Sequence, residues 1–350
     1  MPTFTPYEKI RETLNDWFAD DVAGYRAAGR MDWVVTEKIH GANFSWVVRE
    51  DEVRCARRKG WIAEGEDFFG HLSLVSTLGP GVREVAKYLK SKAGVRADVV
   101  IVIGEIYGGK YPHPKVAPVP DVQPVQTGVW YCPQIEFCAF DIAVIQEGET
   151  VRRYLDFDTM VEACKRGKVP YSVPLFIGNY EEASAWPLGF ETTIPALFRL
   201  PSLGPTNKAE GVVLKPRKEV PGLGGVRPVL KRKIAEFAED ERYHGAEKWE
   251  GKVDRGSYGK DGRVDLLKWE ATSLVNENRL FAAVSKVGRV TQGDEARCPE
   301  LIQLMEEDVW SDLTSRNAAV VAALSSAERA AVEAFLKGEI RTLVELYLPE

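Results

Sequence analysis

Short apolar segments separated by polar turns fill the first two thirds of the chain and predict a core of β-strands. Trp33–Val35 and Phe44–Val48 flank one such turn, and Phe44, Trp46 and Val48 alternate at the period of two that is typical of a strand. The continuous β-branched run at 99–103 predicts a strand that is buried on both faces. Further strands are predicted at 53–60, 98–105, 135–142, 210–215 and 229–233.

Helical spacing is found at the N-terminus and between the predicted strands. Tyr7, Ile10, Leu14 and Phe18 recur three or four residues apart and predict a helical lead-in within residues 1–30. Further helices are predicted at 82–89 and 155–166, and a long loop rich in Pro and Gly is predicted at 108–133.

After about residue 243 the pattern changes from strands to helices. Residues 244–263 are rich in Gly, Lys, Glu and Asp and predict a linker, and Ser325–Glu328 beyond it is a capping box. The helical stripes that follow the linker contain Leu267, Leu274 and Phe281, and Leu301, Leu304, Met305 and Val309. We therefore predict an α+β chain with a strand-rich domain at 1–243 and an all-helical C-terminal domain at 264–350.

Composition and charge restrict the class of protein further. The chain has 350 residues, 45% hydrophobic and 28% charged, which is typical of a globular protein with room for two cores. Its net charge of -6 argues against a chain that coats nucleic acid nonspecifically, but a local basic groove stays open. The five scattered cysteines lack Cys-x-x-Cys spacing, which argues against a zinc site and favours a reducing compartment.

The first twenty residues lack the apolar segment of a secretory signal, and no apolar run has the length of a membrane span. We therefore expect a cytoplasmic protein without a membrane partner.

Lys38 lies in the turn between the first two predicted strands, within Thr36–Phe44. An ammonium between an apolar sheet and nearby cations loses its proton more easily, and a neutral lysine is a nucleophile. Gly41, three residues on, would let a backbone approach whatever the lysine attacks. A lysine at a strand end is more often a solvated surface residue, so this short motif needs support from the rest of the chain.

Other charged residues stand at the ends of predicted strands. Glu105 ends one strand, and Glu210 and Lys215 stand on opposite faces of another because they are five residues apart. Lys231 and Lys233 share one face of the last strand, where they lower each other's pKa unless an anion lies between them. Each of these also has an ordinary interpretation, as a solvated strand end or as a charged edge that keeps the protein soluble.

The ordered motifs resemble those of the covalent nucleotidyltransferase superfamily. TEKIHGANFS, CARRKG followed by EDFFG, IGEIYGGKYPHP, FCAFDI, AEGVVLKP and KRK occur in this order. Within the superfamily the chain resembles the RNA ligase 2 family, which contains phage double-strand RNA nick-sealing enzymes and kinetoplastid RNA-editing ligases. The loop at 111–133 is more similar to the editing ligases, and 278–288 is similar to the helical domain of the phage enzyme. The resemblance covers nearly the whole chain and implies a core of ATP-grasp-like antiparallel sheets.

The resemblance implies three steps: an attack on ATP that forms a lysyl-AMP, transfer of the AMP to an RNA 5′-phosphate, and displacement of AMP by a 3′-hydroxyl. It makes Lys38 the nucleophile. The backbone of Glu37 and Ile39 would contact the adenine edge, Phe140 would stack on the adenine face, and Asn43 would hold the ribose or a hydrated metal.

The same resemblance implies the residues that handle phosphates and metal. Glu105 would share the ribose or the metal with Asn43, and Glu210 would bind Mg²⁺ or Mn²⁺ directly or through water. Arg58 would bind phosphate, and Lys231 and Lys233 would neutralise the triphosphate and the departing pyrophosphate.

Three further residues complete the implied site. His40 would act in the steps after lysine adenylylation, and Asp141 and Lys215 would support the site. The chain departs from the family pattern at 234–236, where Ile, Ala and Glu replace the expected polar or basic residues.

The substrate implied is a 3′-OH/5′-phosphate break, in particular a nick in duplex RNA or an RNA/DNA hybrid, bound by a monomer. A DNA ligase or an mRNA capping enzyme is an alternative, but it would carry an OB-fold where 264–350 is helical. A binding relative without catalysis is a further alternative, although every matched motif residue is present.

Overall fold

The computed structural model describes residues 3–18, 21–219, 227–234, 237 and 260–348. The chain divides into two compact units, Met1–Phe237 and Ala238–Glu350. The described part of the first unit contains antiparallel sheets with helices, and that of the second contains helices alone. The predicted α+β class with a C-terminal helical region is therefore confirmed.

Ten strands form two sheets in the described part of the first unit. One sheet has the order β10-β9-β1-β8 and the other has the order β4-β3-β2-β5-β6-β7. Neighbouring strands pair antiparallel in both sheets. The strands are β1 Trp33–Glu37, β2 Ala42–Arg49, β3 Glu52–Arg57, β4 Gly60–Trp61, β5 Val99–Gly108, β6 Ile135–Ile145, β7 Arg153–Tyr154, β8 Pro174–Gly178, β9 Gly211–Pro216 and β10 Leu230–Lys233.

Helices connect and cover these strands. The long helix α2 and the helix α3 pack against each other and on the six-stranded sheet. The helices of the first unit are α1 Val22–Gly29, α2 Leu72–Ser91, α3 Phe157–Gly167, α4 Tyr180–Ser184 and α5 Ile194–Leu197. Those of the second unit are α6 Lys260–Leu274, α7 Glu277–Val287, α8 Arg297–Arg316, α9 Ala318–Ala322 and α10 Ser326–Tyr347.

The first two strands belong to different sheets, although they are adjacent along the chain. β1 lies inside the four-stranded sheet and β2 lies inside the six-stranded sheet. Residues 38–41 therefore carry the chain from one sheet to the other. The side chains that the alternating pattern assigned to one face, Phe44, Trp46 and Val48, are all buried.

The predicted helical lead-in at 1–30 is wrong for most of its length, because within the described residues 3–18 and 21–30 only Val22–Gly29 is helical. The backbone before it bonds to the sheet instead: Arg11 N–H donates to Val229 O at 3.2 Å, and Lys231 N–H donates to Arg11 O at 2.7 Å. Leu14 and Phe18 are buried as their apolar character requires. Hydrogen bonds to a distant strand have overridden the local helical spacing.

Two predicted boundaries also need correction. β5 continues to Gly108, so Glu105 lies inside a strand and does not end it. The last residues of the predicted linker, 260–263, belong to α6, and residues 244–259 lie outside the described residues. Ala235 and Glu236 of the divergent 234–236 segment also lie outside them.

The helices of the second unit enclose an apolar core of their own. Their inward positions include Leu267, Leu301, Leu336 and Ile340, all almost fully buried. Ser325 and Glu328 form the predicted capping box, with the serine hydroxyl and the glutamate each accepting a backbone N–H. No helix in the described ranges is long and apolar enough to cross a bilayer.

Candidate active site

Lys38 begins the crossing between the two sheets, and its backbone is fixed by the start of β9. Its N–H donates to Gly211 O at 2.9 Å. Gly211 has a φ of 152°, and a Cβ there would lie 2.0 Å from Arg232 O on β10. Only glycine fits this position, so close packing of β9 against β10 sets where the lysine stands.

The side chain of Lys38 contacts the buried carboxylate of Glu210, which immediately precedes β9. Lys38 Nζ lies 2.7 Å from Oε2, and Lys233 Nζ lies 3.0 Å from Oε1. His40 Nδ1 lies 3.6 Å from Oε2. One carboxylate, 2% exposed, thus gathers three of the predicted site residues.

Burial by itself would raise the pKa of Glu210, but the charge of Lys38, with Lys233 and His40, holds it well below its usual value. The predicted cation Lys233 is present near Lys38, but the sequence analysis did not predict the carboxylate that lies between them. An ionised carboxylate at 2.7 Å favours the protonated form of the lysine. The predicted nucleophile is thus paired with a carboxylate in this arrangement.

The residues on either side of Lys38 are anchored to other parts of the chain. The buried Glu37 carboxylate accepts Thr193 N–H at 2.8 Å, Thr193 Oγ1 at 2.6 Å and the Thr192 hydroxyl. Burial raises the pKa of Glu37, and these bonds oppose the rise. Ile39 packs in an apolar cluster, and His40 N–H donates to Tyr131 Oη at 2.8 Å.

Asn43 and Glu105 lie directly opposite each other on β2 and β5. Burial raises the pKa of Glu105 to about 7, while the positive charges of Lys38 and Arg58 oppose that rise. Arg58 lies in the turn between β3 and β4. The structure thus brings Glu105 into the electrostatic neighbourhood of Lys38, Glu210 and Arg58.

Gly41 has a packing role that differs from the predicted one. A Cβ at this position would lie 2.2 Å from Ile106 O and 2.9 Å from the Glu105 side chain. The absence of a side chain lets the crossing segment approach β5, so this glycine is required by the protein's own backbone. The predicted approach of the backbone to a substrate stays a prediction.

Phe140 is the extra residue where β6 bulges against β5, between Ala139, which pairs with Gly104, and Asp141, which pairs with Ile103. The Phe140 ring is half-buried and meets the Tyr7 ring edge-on at 5.3 Å between centroids. Tyr7 Oη donates to Asp141 Oδ2 at 2.6 Å. The bulge thus presents the ring while the next residue is tied into the interior.

Asp141 is the centre of a second buried ion cluster. Lys215 Nζ lies 2.6 Å from Oδ1, and Arg227 donates to both oxygens at 2.6 and 3.0 Å. Burial would raise the pKa of Asp141, but Arg227 and Lys215 outweigh it and hold the pKa well below its usual value. Lys215 is therefore held by Asp141, whereas Glu210, which precedes β9, is paired with Lys38 and Lys233.

Lys231 occupies the same face of β10 as Lys233, since the two are separated by one residue. Its partner across the strands is Val213, and that of Lys233 is Gly211. The last strand therefore presents two lysines beside the start of β9, where Glu210 stands.

The donor set suits a magnesium or manganese ion better than a structural zinc ion. Among the described residues no group of three or more His, Cys, Asp or Glu side chains is gathered as a cage. Glu210 and Glu105 provide two carboxylates, and Mg²⁺ takes one or two of these together with waters and substrate phosphates. A separate pocket beside Asn43 is lined partly by Phe4 and Tyr7 but by neither Glu210 nor Lys38.

Several residues that shape the site escaped the sequence analysis. Tyr131, Thr192, Thr193 and Arg227 each contact a predicted site residue from a distant part of the chain. Tyr131 lies in the predicted Pro- and Gly-rich loop at 108–133. Its place in that loop was the one signal in the sequence that could have indicated it. The two threonines and Arg227 carry no local motif.

Comparisons with known proteins agree with this geometry. The family described as RNA ligase matches residues 31–233, and the family described as T4 RNA ligase 2 C-terminal matches residues 265–342. RNA-editing ligase 2, mitochondrial, of Trypanosoma brucei brucei is 32% identical over 321 residues, which cover 80% of this chain and 76% of that protein.

Other relatives share less of their length with this chain. RNA-editing ligase 1, mitochondrial, of Trypanosoma brucei brucei is 32% identical over 241 residues, which cover 60% of this chain and 50% of that protein. A mutant Naegleria gruberi RNA ligase solved with AMP and Mn is 16% identical with a TM-score of 0.42, covering 68% of this chain and 58% of the other. The chain thus spans about half the length of editing ligase 1.

The match to the RNA ligase family over the two-sheet core identifies a nucleotidyltransferase. The chain belongs to the RNA ligase family, and within it to the RNA ligase 2 type, because both the core and the C-terminal families match. It is an ATP-dependent RNA ligase.

Proposed function

We propose that this ligase seals 3′-OH/5′-phosphate nicks in duplex RNA through a lysyl-AMP on Lys38 and an RNA-adenylate. The observation that carries the proposal is the grouping of Lys38, Lys233 and His40 around buried Glu210. Nucleotidyl transfer depends on in-line positioning and charge neutralisation, and this group supplies a nucleophile and cations at one point.

In the first step the Lys38 amine attacks the α-phosphate of ATP. A nitrogen–phosphorus bond forms, the bond to the β-phosphate oxygen breaks, and pyrophosphate leaves. The Lys38 ammonium must first release a proton to solvent. Its ion pair with Glu210 opposes that release, so Lys38 separates from Glu210 before it attacks. Lys231 and Lys233 then neutralise the triphosphate and the departing pyrophosphate, and they favour the neutral form of Lys38.

The adenosine is placed between the two sheets. Phe140 stacks on the adenine face, and the backbone of Glu37 and Ile39 contacts its edge. The bonds from Thr192 and Thr193 to the Glu37 side chain keep that backbone in place.

The ribose and the phosphates have their own partners. Asn43 and Glu105 hold the ribose from opposite strands, and Arg58 binds phosphate. A divalent ion held by Glu210 and Glu105 supplies positive charge to the phosphates when bound.

The later steps use His40 and the helical unit. His40 acts when the adenylyl group passes from Lys38 to the RNA 5′-phosphate, and Asp141 and Lys215 support the adjacent ring of Phe140. We assign residues 1–243 to adenylyl transfer, 244–263 to a linker and 264–350 to contact with duplex RNA. The monomeric state and cytoplasmic location stay predictions.

A comparison of nucleic acid substrates tests this proposal. The full-length protein is given ATP, Mg²⁺ and either a nicked RNA duplex or the same broken strand without its complement, with the sugar varied on each side of the break. We expect ATP-dependent sealing of the nicked duplex to be the faster reaction, with an RNA-adenylate visible early. Preferential joining of unpaired ends would contradict the nick assignment, and sealing without ATP would contradict the mechanism.

A further inference from the structure

The loop of residues 109–134 contacts the nucleophile segment directly. Tyr131 is 1% exposed, and its hydroxyl accepts the His40 N–H at 2.8 Å. Ile39 packs in one apolar cluster with Val129, Tyr131 and Cys132. The two residues after Lys38 therefore rest on this loop through one hydrogen bond and one apolar contact surface.

The loop is held to the rest of the core beside Tyr131. Asn207 Oδ1 accepts Trp130 N–H at 2.9 Å, and Asn207 Nδ2 donates to Trp130 O at 2.8 Å. Asn207 O in turn accepts Thr192 N–H at 3.0 Å. Because Thr192 also bonds to Glu37, the clamp on the loop connects to the opposite side of the nucleophile segment.

Lys38 and His40 are held by different partners. The Lys38 N–H bonds to Gly211 at the start of β9, whereas the His40 N–H bonds to Tyr131 in the loop. The amide of His40 is adjacent to the Cα that carries its ring, so the bond to Tyr131 helps to set where the ring stands beside Glu210. Loss of this bond would let the backbone at His40 shift and leave the backbone anchor of Lys38 intact.

We propose that Tyr131 is a positioning residue for His40, and that the 109–134 loop thereby sets the rate of adenylyl transfer to RNA without affecting formation of the lysyl-AMP. This inference rests on the proposed function. It adds a residue that touches neither reacting group and acts on the second step alone. The loop thus contributes to RNA joining through the position of His40.

The test separates the two steps in Tyr131→Phe. Lysyl-AMP formation is followed by intact mass with ATP and Mg²⁺, and transfer is followed in a single turnover from preformed lysyl-AMP to the 5′-phosphate of a nicked duplex. We expect the first rate within about twofold of wild type and the second slower by roughly ten- to hundredfold, the scale expected of a displaced catalytic group.

Tyr107→Phe is the matched control. The Tyr107 ring lies 5.3 Å from that of Tyr131 in the same cluster and is equally buried, so its variant also removes a buried hydroxyl. We expect both rates of this control to equal those of wild type. A loss of the same size in both variants would assign the effect to the cluster's packing and overturn the proposal.

A double-mutant cycle with His40→Ala distinguishes positioning from a general structural effect. If Tyr131 acts through His40, Tyr131→Phe slows transfer no further once His40 is alanine. Additive losses, or equal losses in both steps, would overturn the proposal. If wild type fails to form a lysyl-AMP, the proposed function itself fails, whereas a normal wild type with an unchanged Tyr131→Phe rejects only this inference.

A second variant keeps the test decisive if Tyr131→Phe does not fold. Asn207→Asp retains the acceptor for Trp130 N–H but loses the donor to Trp130 O, and it leaves Tyr131 unchanged. We expect the same selective loss in transfer, smaller in size. Slower lysyl-AMP formation with normal transfer would contradict the role of the loop.

Discussion

The carboxylate of Glu210 holds Lys38 on one oxygen and Lys233 on the other, at 2.7 and 3.0 Å. Each lysine comes from a different strand region, so this one buried group joins the crossing segment to the last strand of the core. A carboxylate in contact keeps an ammonium protonated. Under the proposed mechanism Lys38 therefore separates from Glu210 and loses its proton before it attacks, and the cationic Lys231 and Lys233 favour that loss.

Asp141 illustrates how much stability a buried charge can carry when its partners depend on it. Asp141→Asn leaves Lys215 buried without its carboxylate and leaves Arg227 with Glu219 as its remaining carboxylate partner. We expect the free energy of unfolding to fall by about 3–5 kcal/mol, measured by urea denaturation at neutral pH. Asp158→Asn is the control, since Asp158 is 54% exposed beside Arg217 and should cost less than about 1 kcal/mol. Equal losses would contradict the account of the cluster.

His71 gives the core a pH dependence of known sign. Burial lowers its pKa below the ordinary 6.5, and Asp67 opposes the shift only in part. The unfolded chain therefore binds a proton at higher pH than the folded one, so stability is complete above 6.5 and declines as the pH falls through that value.

The measurement is urea unfolding at about pH 8 and about pH 5.5, values on either side of the histidine pKa. We expect wild type to lose more stability between these conditions than His71→Asn, whose amide oxygen can still accept the Phe68 N–H that His71 Nδ1 accepts at 3.1 Å. An equal loss in both proteins would show that His71 does not titrate as described.

Among the elements, the strands were predictable where the apolar pattern was strict and the neighbours were local. β2, β5 and β6 carry alternating or continuous apolar residues and lie within a few residues of their predicted positions. The segment before α1 was not predictable, because its helical spacing is overridden by hydrogen bonds between Arg11 and β10. Local pattern decides an element only when no distant backbone competes for its hydrogen bonds.

The capping box of α10 is formed by two residues three positions apart, so its contribution to stability should be small and confined to the start of the helix. Ser325→Ala removes the hydroxyl that accepts Glu328 N–H, and we expect the second unit to lose about 1 kcal/mol. Ser326→Ala, one residue into the helix, should change stability by less than about 0.5 kcal/mol. Hydrogen exchange of the amides at the start of α10 measures both, and equal protection in the two variants would contradict the cap's role.

At the scale of the whole molecule, the motifs predicted which residues meet but not what holds them. Lys38, Glu210 and Lys233 stand far apart along the chain, and their ordered motifs brought them together by resemblance. The bonds from Thr192 and Thr193 to Glu37 span 155 and 156 residues, and no sequence motif indicates them. Such supporting contacts depend on the packed tertiary structure, which a single sequence does not display.

The two units should be separable in function. We expect a chain without residues 260–350 to form the lysyl-AMP at nearly the full rate, since the Lys38 contacts described here lie in the first unit. Sealing of nicked duplex should fall by roughly a hundredfold, as expected when one of two linked binding surfaces is lost. Intact mass and nick sealing measure the two activities, and loss of the lysyl-AMP would place part of the adenylylation site in the second unit.

The central claim is that Lys38 carries the adenylyl group. The direct measurement is the intact mass of the protein after incubation with ATP and Mg²⁺, followed by peptide mapping, for wild type and Lys38→Ala. We predict that wild type gains one adenylyl group, located on Lys38, and that Lys38→Ala gains none. No gain in wild type, or the same gain in Lys38→Ala, would contradict the account.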